Sequence, residues 1–582
     1  MGLGKTCQTI SFLAWLKFNE KQERNGVAER NRISDKNSDD ESVVLLERPA
    51  APKPHLIVVP ASTLSNWVIE FGKFAPHLNV VKYHGSMAER EEIKDHLREY
   101  LSGKATRNGD SLDVILAPLT YFQKEKSDDR SFLRKFKFEY LICDEGHLLK
   151  NHQGQRYKTL DKFRTNHRLL LSGTPVMNNP QELMSLLCFL MPLFSRKSQE
   201  FSSDGDKNDG GSGMLQHFVE LDSQGRGKND AQTYKKLKEL FAPFVLRRRK
   251  LDVLSQIMPP KTRKVEFVEL DPIGRRIYDS VLERHVRNKE SRAREHLFTQ
   301  LRKAAHHPLL LRTRYLDKSE KEHLTDCFYK YGAFRGEGCT REKVAEEVEK
   351  FNDFDIHLTA LELLQTNPLR EDLRRYVLQE EDLFSSAKCR RLRKLLPELV
   401  GKGHRVLVFS VWTNCLDLLS CLLEQLNLKY LRMEGSTAVS ERQSLIDEFN
   451  RDESIPIFLL STKACGLGIN LTAADTCIMH DIDFNPFNDL QAEDRCHRIG
   501  QKKPVTVYKL VAKDTVDQDI HSMQERKAKM SAAIMESSDF ESKNERDNVL
   551  KTAVDRFLSS PLGHKKVVEK ENGINIHSRD SL

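Results

Sequence analysis

The chain has 582 residues, of which 39% are hydrophobic and 31% are charged. This length is too great for one hydrophobic core, so the composition predicts several globular domains with long polar surface segments. Basic residues exceed acidic residues by 93 to 85, and a net charge of +8 is only a weak indication of nucleic-acid binding. The scattered cysteines, without a C-x-x-C pair or zinc spacing, predict reduced thiols. No segment is apolar enough for us to expect a membrane span.

The first six residues, Met-Gly-Leu-Gly-Lys-Thr, allow three interpretations. They match the N-myristoylation pattern, and Lys5 followed by the apolar residues 10–16 imitates a short signal peptide. We favour a third interpretation, the end of a phosphate-binding loop that leads into an amphipathic helix through about Phe18. Lys5 would then neutralise the β and γ phosphates, and Thr6 would ligate Mg²⁺. The loop residues expected to bind ATP are Gly2, Gly4, Lys5 and Thr6.

Residues 19–54 are polar and end in Pro-Ala-Ala-Pro-Lys-Pro, which predicts a flexible surface insertion. The apolar run at 55–60 then predicts a buried parallel strand. Ser62 and Thr63 follow it and can cap a helix. Further apolar runs alternate with helical stretches, and this alternation predicts a doubly wound α/β sheet. The other predicted strands of this sheet are 79–83, 112–117, 140–143 and 168–171.

Two acidic residues follow the fourth predicted strand, in the run Asp-Glu-Gly-His at 144–147. Open α/β sheets bind their ligands at the carboxyl ends of the strands. Asp144 is therefore expected to hold Mg²⁺, and Glu145 to orient and deprotonate the attacking water. An Asp-Glu pair in a loop is usually only solvated charge. Its place after an apolar strand, in a chain that begins with Gly-Lys-Thr, favours the catalytic interpretation.

The first lobe is predicted to span residues 1–194. A Gly/Ser/Asp-rich segment opens the next region, 195–261, which continues with a helical stretch at 234–250 ending in Leu-Arg-Arg-Arg-Lys. That basic run could contact DNA, pack against acidic chain or act as a nuclear signal, and the sequence leaves all three open. The region 262–384 has helical patterns and many charges, without a phosphate-binding motif.

A second lobe is predicted at 385–535, before a polar tail at 536–582. It begins with a helix at 388–399, and short apolar runs then alternate with helical stretches, as in a second doubly wound sheet. In the run Ser-Thr-Lys-Ala-Cys-Gly-Leu-Gly-Ile-Asn at 461–470, the glycines permit close backbone approach. Thr462 and Lys463 of the same run suit the phosphates of a nucleic-acid strand. The predicted strands are 405–410, 429–433, 456–460, 476–480 and 506–511.

Arg495 and Arg498 lie in the run Gln-Ala-Glu-Asp-Arg-Cys-His-Arg-Ile-Gly-Gln at 491–501. At this spacing they would project from one face of a helix, where two guanidinium groups suit a cluster of phosphate oxygens. An exposed basic helix is the alternative. The phosphate-binding loop at the start of the chain favours arginine fingers that reach a nucleotide held by the first lobe.

These runs resemble the motifs of Swi/Snf-type ATPases in helicase superfamily two, over roughly residues 1–525. The amino-acid sequences of residues 169–176, 182–186 and 480–483 are most similar to the SMARCAD-type (Fun-thirty-like) branch. Besides the phosphate-binding loop, the runs that carry the resemblance are 61–67, 144–147, 172–175, 461–470 and 491–501.

The resemblance implies two tandem RecA-like lobes that hydrolyse ATP with Mg²⁺ and move along double-stranded DNA. It also implies a nuclear protein that remodels nucleosomes, with histones and other chromatin proteins as partners. Gln491 is expected to join Arg495 and Arg498 at ATP. The residues expected to contact DNA are Ser62, Thr63, Thr462, Lys463 and Phe484. Those expected to couple hydrolysis to movement are His147, Ser172, Gly173, Thr174, Gly466 and Gly468.

The sequence departs from the family pattern at three positions. Cys465 occupies a position where the family has Gly, and His306 one where it has Asn. His306 and His307 could also belong to a zinc site, but no third ligand is near in sequence, so we set this aside. Phe484 replaces a frequent Trp, and it could press on the DNA minor groove or belong to the core.

The family usually has Asp-Glu-Met before Gly-Leu-Gly-Lys-Thr, so Met1 coincides with an internal methionine of its relatives. We therefore expect the chain to lack the first strand of lobe one. Two alternative functions stay open. A strand-separating helicase would use the same ATPase core, and a scaffold without catalysis would follow if the missing segment prevents nucleotide binding.

Overall fold

The computed structural model describes residues 3–34, 53–101, 112–123, 127–173, 180–191, 242–246, 248, 250–254, 256, 258–287, 293–334, 339–462 and 469–534. The chain divides into two compact units, unit one up to Gln256 and unit two from Ile257. The predicted end of lobe one, after residue 194, lies earlier in the chain. Among the helices in these ranges, none is long and apolar enough to cross a membrane.

Five parallel strands form the sheet of unit one. In chain order they are β1 (His55–Val59), β2 (Val80–Lys82), β3 (Val114–Pro118), β4 (Phe138–Asp144) and β5 (Thr165–Leu171). Their order across the sheet is β2-β3-β1-β4-β5, with every pair parallel. The five predicted strands are thus confirmed. β1 and β3 are apolar and buried because helices cover both faces of a doubly wound sheet.

Helices pack on both faces of this sheet. The helices of unit one are α1 (Lys5–Ser34), α2 (Leu64–Phe74), α3 (Met87–Leu101), α4 (Asp128–Leu133), α5 (Gln155–Asp161), α6 (Pro180–Leu190) and α7 (Lys250–Leu254). Ile57 of β1 joins a core with side chains of α1 and α2. Its neighbour Leu56 joins a second core with side chains of α3, α5 and α6. Because side chains alternate along a strand, β1 serves both cores.

The helix α1 is longer than the sequence predicts. It passes the expected end near Phe18 and continues to Ser34. Residues 19–34 are therefore helical instead of part of a flexible insertion, because Glu, Lys, Gln, Arg and Ala favour helix even without an apolar face. Residues 35–52 and 192–241 lie outside the described residues.

The predicted helix at 234–250 is not formed in its described part. Ala242–Phe244 make a single 3₁₀ turn, and a helix begins only at Lys250. Pro243 accounts for the break, since proline lacks an N–H donor and disfavours helical backbone in the residue before it.

Six parallel strands form the sheet of unit two. They are β6 (Lys261–Val268), β7 (Val406–Ser410), β8 (Tyr430–Met433), β9 (Ile457–Ser461), β10 (Thr476–Met479) and β11 (Val505–Ala512). Their order across the sheet is β6-β11-β10-β7-β9-β8. Five of them confirm the prediction. The sixth strand, β6, was not predicted. It pairs with β11 along its full length, where the sequence predicted the start of a helical region.

The helices of unit two flank the sheet and also form a layer of their own. They are α8 (Pro272–Arg287), α9 (Ala293–His306), α10 (Lys318–Lys330), α11 (Arg341–Lys350), α12 (Asp353–Thr366), α13 (Glu371–Arg374), α14 (Glu380–Leu383), α15 (Ala387–Gly401), α16 (Thr413–Gln425), α17 (Val439–Arg451), α18 (Pro486–Glu493) and α19 (Val516–Ile534). Side chains of α15 and α16 pack on the sheet. The two parallel sheets flanked by helices confirm the predicted fold class, α/β with tandem RecA-like doubly wound lobes.

Candidate functional site

The start of α1 has the geometry of a phosphate-binding site. Gly4 has φ +73°, a left-handed conformation that suits glycine, and its carbonyl accepts the first helical hydrogen bond, from Gln8 N at 2.9 Å. The N–H groups of the first helical turn, at Lys5, Thr6 and Cys7, have no carbonyl partner inside the helix. Such a helix N-terminus favours anions. Gly2 lies outside the described residues.

Lys5 of this turn lies beside the acidic pair that ends β4. Its Nζ is 4.0 Å from Oδ1 of Asp144 and 3.6 Å from Oε1 of Glu145. β4 lies between β1 and β5, so the pair lies at the carboxyl end of an interior strand, and ligands bind at this edge of the sheet in this fold. The structure thus brings together the three residues that the sequence predicts for binding and hydrolysis.

Asp144 is nearly buried and has two hydrogen-bond donors. The indole Nε1 of Trp67 lies 3.1 Å from Oδ2, and the backbone N of Glu145 lies 2.9 Å from Oδ1. Burial raises the pKa of Asp144, while the ammonium of Lys5 opposes that rise. A bound cation would favour the ionised form in the same way. Trp67 was not predicted as a site residue, and only its position in the run 61–67 could have pointed to it.

Glu145 occupies a left-handed backbone conformation, with φ 52° and ψ 49°. Its Oε2 lies 3.2 Å from Nδ1 of His147. The next residue, Gly146, has no room for a side chain, because an added Cβ would lie 2.9 Å from Cβ of Leu170. This tight turn directs the Glu145 carboxylate towards Lys5. Strained backbone of this kind is frequent at active sites.

The residues around Asp144 fit a nucleotide with Mg²⁺. Hard cations prefer carboxylate and hydroxyl oxygens, which Asp144 and Thr6 can supply. Anionic phosphates require N–H donors and a cation, which the first turn of α1 and Lys5 supply. The pair Asp144–Glu145 and Lys5 together carry the charges that such a site needs.

Ser62 and Thr63 lie in a 3₁₀ turn, Ala61–Thr63, between β1 and α2. The hydroxyl of Thr63 is buried and donates to the carbonyl of Pro60 at 3.0 Å, and neither residue caps α2 through its side chain. Thr63 therefore occupies the N-cap position of α2, as predicted, but without the side-chain hydrogen bond of a cap. The hydroxyl of Ser62 is buried as well, and the backbone N of Thr63 donates to the carbonyl of Pro60 at 3.0 Å.

Ser172 and Gly173 follow β5 and are half-buried. The last paired residues of β4 and β5 are Asp144 and Leu171, so Ser172 and Glu145 both follow that pair in the register. Ser172 and Glu145 therefore follow neighbouring strands at the same edge of the sheet. A residue that couples hydrolysis to movement is expected at such a position. Thr174 lies outside the described residues.

Arg495 and Arg498 do not lie on a helix, which corrects the sequence prediction. α18 ends at Glu493, and the two arginines follow in successive turns that we call the arginine turn, residues 494–500. Arg495 is buried and Arg498 is half-buried. Gln491 lies in the last turn of α18, directly before them. The three predicted nucleotide contacts therefore lie within one short segment.

Gln501 fixes the end of the arginine turn and was not predicted to do so. Its Nε2 lies 3.1 Å from the carbonyl oxygen of Thr472, 2.7 Å from that of Ala474 and 2.9 Å from that of Cys496. Its Oε1 accepts from the backbone N of the next two residues. A buried amide with this many partners holds the turn in one conformation.

Thr462 directly follows β9, and its N donates to the carbonyl of Ser410 at 2.9 Å. Its hydroxyl is buried. Phe484 is half-buried, with its ring 5.9 Å from that of Phe298 and the ammonium of Lys527 above it at 5.2 Å. These contacts favour the core alternative for Phe484. The predicted residues Lys463, Gly466 and Gly468, and Cys465, lie outside the described residues.

The two consecutive histidines have structural partners. Nδ1 of His307 accepts from the backbone N of Leu309 at 3.1 Å, and its Nε2 lies 2.8 Å from the carbonyl of Leu383. His306 is fully buried, with Nδ1 3.1 Å from Nζ of Lys388, and that ammonium also contacts Asp517 at 2.5 Å. These contacts give both histidines a structural role in place of the zinc interpretation.

A nearby group, Cys415, His480 and Asp481, has its ligand atoms within 4.8 Å of one another. The carboxylate of Asp481 already accepts from the backbone N of Val411 at 2.8 Å and from the hydroxyl of Ser410. Burial raises the pKa of the Cys415 thiol, which disfavours the thiolate that a metal would need. This group therefore fits a structural role.

Two protein-family models match the chain. The SNF2-related domain model matches residues 1–315, and the helicase conserved C-terminal domain model matches residues 387–500. The first match covers more than half of the chain. Both agree with the phosphate-binding and arginine motifs of the two lobes.

The similar curated proteins come from several kingdoms. The chain is 37% identical to ATP-dependent helicase FUN30 of Saccharomyces cerevisiae over 92% of its length and 44% of that protein. It is 36% identical to CHROMATIN REMODELING 19 of Arabidopsis thaliana over 92% of its length and 65% of that protein. It is 35% identical to the Drosophila melanogaster homologue of the SWI/SNF-related regulator of chromatin containing DEAD/H box 1, over 99% of its length and 62% of that protein.

A solved structure, the C-terminal part of the Fun30 ATPase domain, is 32% identical and aligns with 51% of this chain and 99% of its own at a TM-score of 0.43. The chain spans about half to two-thirds of the length of the three curated relatives named above. The relatives confirm the resemblance to the Swi/Snf-type ATPases and to their SMARCAD-type (Fun-thirty-like) branch. The chain belongs to the SNF2-related family of helicase-type ATPases.

Proposed function

We propose that this protein couples ATP hydrolysis to movement along double-stranded DNA and thereby remodels nucleosomes. The observation that carries the proposal is the cluster of Lys5, Asp144 and Glu145 at the carboxyl edge of the first sheet, with the lysine within 4.0 Å of both acids. The names of the relatives, an ATP-dependent helicase and regulators of chromatin, support the same function.

The proposed chemistry assigns one task to each residue of this cluster. Lys5 and the first turn of α1 bind the β and γ phosphates. Thr6 and Asp144 hold Mg²⁺, which supplies Lewis-acid stabilisation of the phosphate charge when it is bound. Glu145 orients the attacking water and accepts its proton. His147, whose Nδ1 lies 3.2 Å from Oε2 of Glu145, is assigned to coupling hydrolysis to movement.

The arginine turn is assigned to the same nucleotide. Arg495 and Arg498 would stabilise charge on the transferring phosphoryl group, and Gln491 would contact the nucleotide beside them. The hydrogen bonds of Gln501 support this assignment, because an arginine finger acts only when its approach is fixed in advance.

The proposed grip on DNA uses phosphate contacts and therefore carries no sequence information. It should weaken with salt, since counterions are released when phosphates are neutralised. It involves the turns after β1 and β9, and Ser172–Gly173 with the following threonine would couple it to hydrolysis. The residues assigned to the grip and its coupling are Ser62, Thr63, Thr462, Lys463, Thr174, Gly466 and Gly468, while the contacts of Phe484 leave it to the core. The expected partners are nucleosomes and other chromatin proteins in the nucleus.

The decisive measurement is phosphate release from ATP with and without duplex DNA and with nucleosomes. We expect duplex DNA to stimulate hydrolysis, nucleosomes to be repositioned, and a naked forked duplex to stay paired. Displacement of a strand from the fork would favour the helicase alternative. A purified, folded protein without DNA-stimulated phosphate release would favour the scaffold and overturn the proposal.

A further inference from the structure

The strand β6 begins four residues after the start of unit two and contacts the residues before the arginine turn. Nζ of Lys261 lies 3.1 Å from Oε2 of Glu493 and 3.2 Å from Oδ1 of Asp494. Nε of Arg263 lies 2.8 Å from the same Oε2 of Glu493. Two cations of β6 thus meet two acids that immediately precede Arg495.

The residues before β6 contact the other side of the turn. Nε2 of His497 lies 2.9 Å from the carbonyl oxygen of Pro259. Because a carbonyl only accepts, this nitrogen carries the proton and donates. The carbonyl of Pro260 accepts from Val505 N at 3.0 Å, which fastens the same segment to the sheet. Residues 259–263, the connector segment, therefore contact the chain on both sides of Arg495.

The acid at the centre of these contacts is fully buried. The side chain of Glu493 has 0% exposure, and Lys509 of β11 lies 3.4 Å from its Oε1. Burial alone would raise the pKa of Glu493, but the surrounding cations Lys261, Lys509 and Arg263 hold it below its usual value. A buried carboxylate that stays ionised depends strongly on each cation, since loss of one leaves charge uncompensated.

We infer that the connector segment positions Arg495 for hydrolysis, with Lys261 and Arg263 as positioning residues. This inference rests on the proposed function of the arginine turn. The connector is also the stretch through which the chain enters unit two, directly after the division at Gln256. A shift of this stretch would be passed to Arg495 through Glu493 on one side and His497 on the other. A displacement of about 1 Å in a catalytic group can reduce turnover on the order of 100-fold.

The first test measures the contact itself and does not depend on activity. Hydrogen exchange of the full chain reports on the backbone N–H groups of Asp494 and Arg495, which donate to carbonyls of α18 at 3.0 Å. We expect Lys261→Gln to speed exchange across residues 494–500 by about tenfold or more. Lys264→Gln is the matched control, because Lys264 is on the same strand but contacts Tyr508 instead. Equal exchange in both variants would overturn the inference.

The second test measures its consequence for hydrolysis. Lys261→Gln should lower DNA-stimulated kcat by roughly 10-fold to 100-fold, with KM for ATP unchanged, because Lys5 and the first turn of α1 are untouched. Lys261→Arg should restore most of the rate, since it keeps the positive charge. A kcat of Lys261→Gln equal to that of Lys264→Gln would overturn the inference while leaving the proposed function intact.

Thermal melting checks that each variant is folded. If Lys261→Gln unfolds, Arg263→Gln replaces it, because the side chain of Arg263 is 45% exposed and its loss disturbs the core less. If the wild-type chain shows no DNA-stimulated hydrolysis, the proposed function fails. The exchange measurement then still decides whether the connector fixes the arginine turn.

Discussion

The indole N–H of Trp67 in α2 donates to Oδ2 of Asp144 at 3.1 Å. This bond ties the helix that follows the Ser62–Thr63 turn to the carboxylate that ends β4. The proposed DNA grip and the proposed Mg²⁺ ligand are therefore joined through one buried side chain. A movement of α2 on DNA would change the position or the ionisation of Asp144.

Trp67→Phe should weaken this link while keeping an aromatic ring in the core. The loss of the donor leaves a buried carboxylate oxygen with one partner fewer, which costs about 1–2 kcal/mol of unfolding free energy. We expect reduced stimulation of hydrolysis by DNA, measured as the ratio of the rates with and without duplex. Phe71→Leu, in the same helix and core, is the control for altered packing. An unchanged ratio in a folded Trp67→Phe protein would show that this hydrogen bond does not link DNA binding to hydrolysis.

Glu145→Gln should abolish ATP turnover and leave ATP binding largely intact. The amide keeps the shape of the side chain but cannot accept the proton of the attacking water. Its contact with Lys5, 3.6 Å in the wild type, also loses its charge. Nucleotide affinity and single-turnover hydrolysis are the two measurements. Wild-type hydrolysis by the variant would remove Glu145 from the role of general base.

Arg498→Lys should lower turnover far more than nucleotide affinity. Lysine keeps the positive charge but loses the planar fork that binds phosphate oxygens bidentately. Arginine fingers in other nucleotide hydrolases contribute on the order of 10³-fold or more to turnover. Single-turnover hydrolysis on saturating DNA tests this, with thermal melting and the exposed Arg451→Lys as controls. Wild-type turnover in a normally melting Arg498→Lys protein would contradict the assignment.

Gln501→Glu should destabilise unit two more than its small chemical change suggests. The amide shares its two N–H hydrogens among the carbonyls of Thr472, Ala474 and Cys496, whereas an ionised carboxylate cannot donate to any of them. We expect a loss of about 3 kcal/mol or more in unfolding free energy, measured by urea denaturation. Gln501→Met, which has similar size without a charge, should lose less. Equal losses in the two variants would mean that the missing amide donor, and not the introduced charge, sets the cost. Wild-type stability in both variants would mean that the amide is not the part that matters.

Acid should destabilise unit two through His307. Burial lowers the pKa of His307 to about 4. Because the folded pKa is below the ordinary value of about 6.5, folding favours the neutral ring. The contribution of the neutral His307 ring to the unfolding free energy is fully present above about pH 6.5 and is lost as the pH falls towards 4. Between pH 7.5 and pH 5 the loss from this residue amounts to about 2 kcal/mol.

His307→Gln should reduce the pH dependence of the unfolding free energy by that amount. Urea denaturation of the wild type and the variant at both pH values gives the difference, in which contributions of other buried histidines cancel. His404→Gln is the control, because the side chain of His404 is 41% exposed. An equal pH dependence in wild type and His307→Gln would contradict the buried neutral ring.

The sheets were predictable because their strands are buried on both faces. The runs around Val58 and Val408 are apolar throughout, and such runs indicate parallel strands wherever they alternate with helical stretches. β6 was not predictable in this way. It is an edge strand rich in lysine and arginine with most side chains exposed, so nothing in its pattern separates it from a loop or helix.

The candidate site was predictable where chemistry and position coincide in sequence. Lys5, Asp144 and Glu145 each follow a recognisable local pattern, and the fold only had to bring them together. The arginine turn was not predictable, because a spacing of three fits both a helix and two successive turns. What decides between them is Gln501, whose partners at 472 and 474 are distant in sequence.

The left-handed backbone of Glu145 lowers the stability of the fold at the same residue that is proposed to act as the base. A side chain at φ 52° costs about 1 kcal/mol relative to glycine, which has no Cβ to crowd the carbonyl. A search for heat-resistant variants would therefore favour glycine or asparagine at this position and would remove the proposed base in the same step. Thermal robustness is thus an unreliable guide to function in this lobe, and a variant that melts later has to be assayed for turnover before it is called improved.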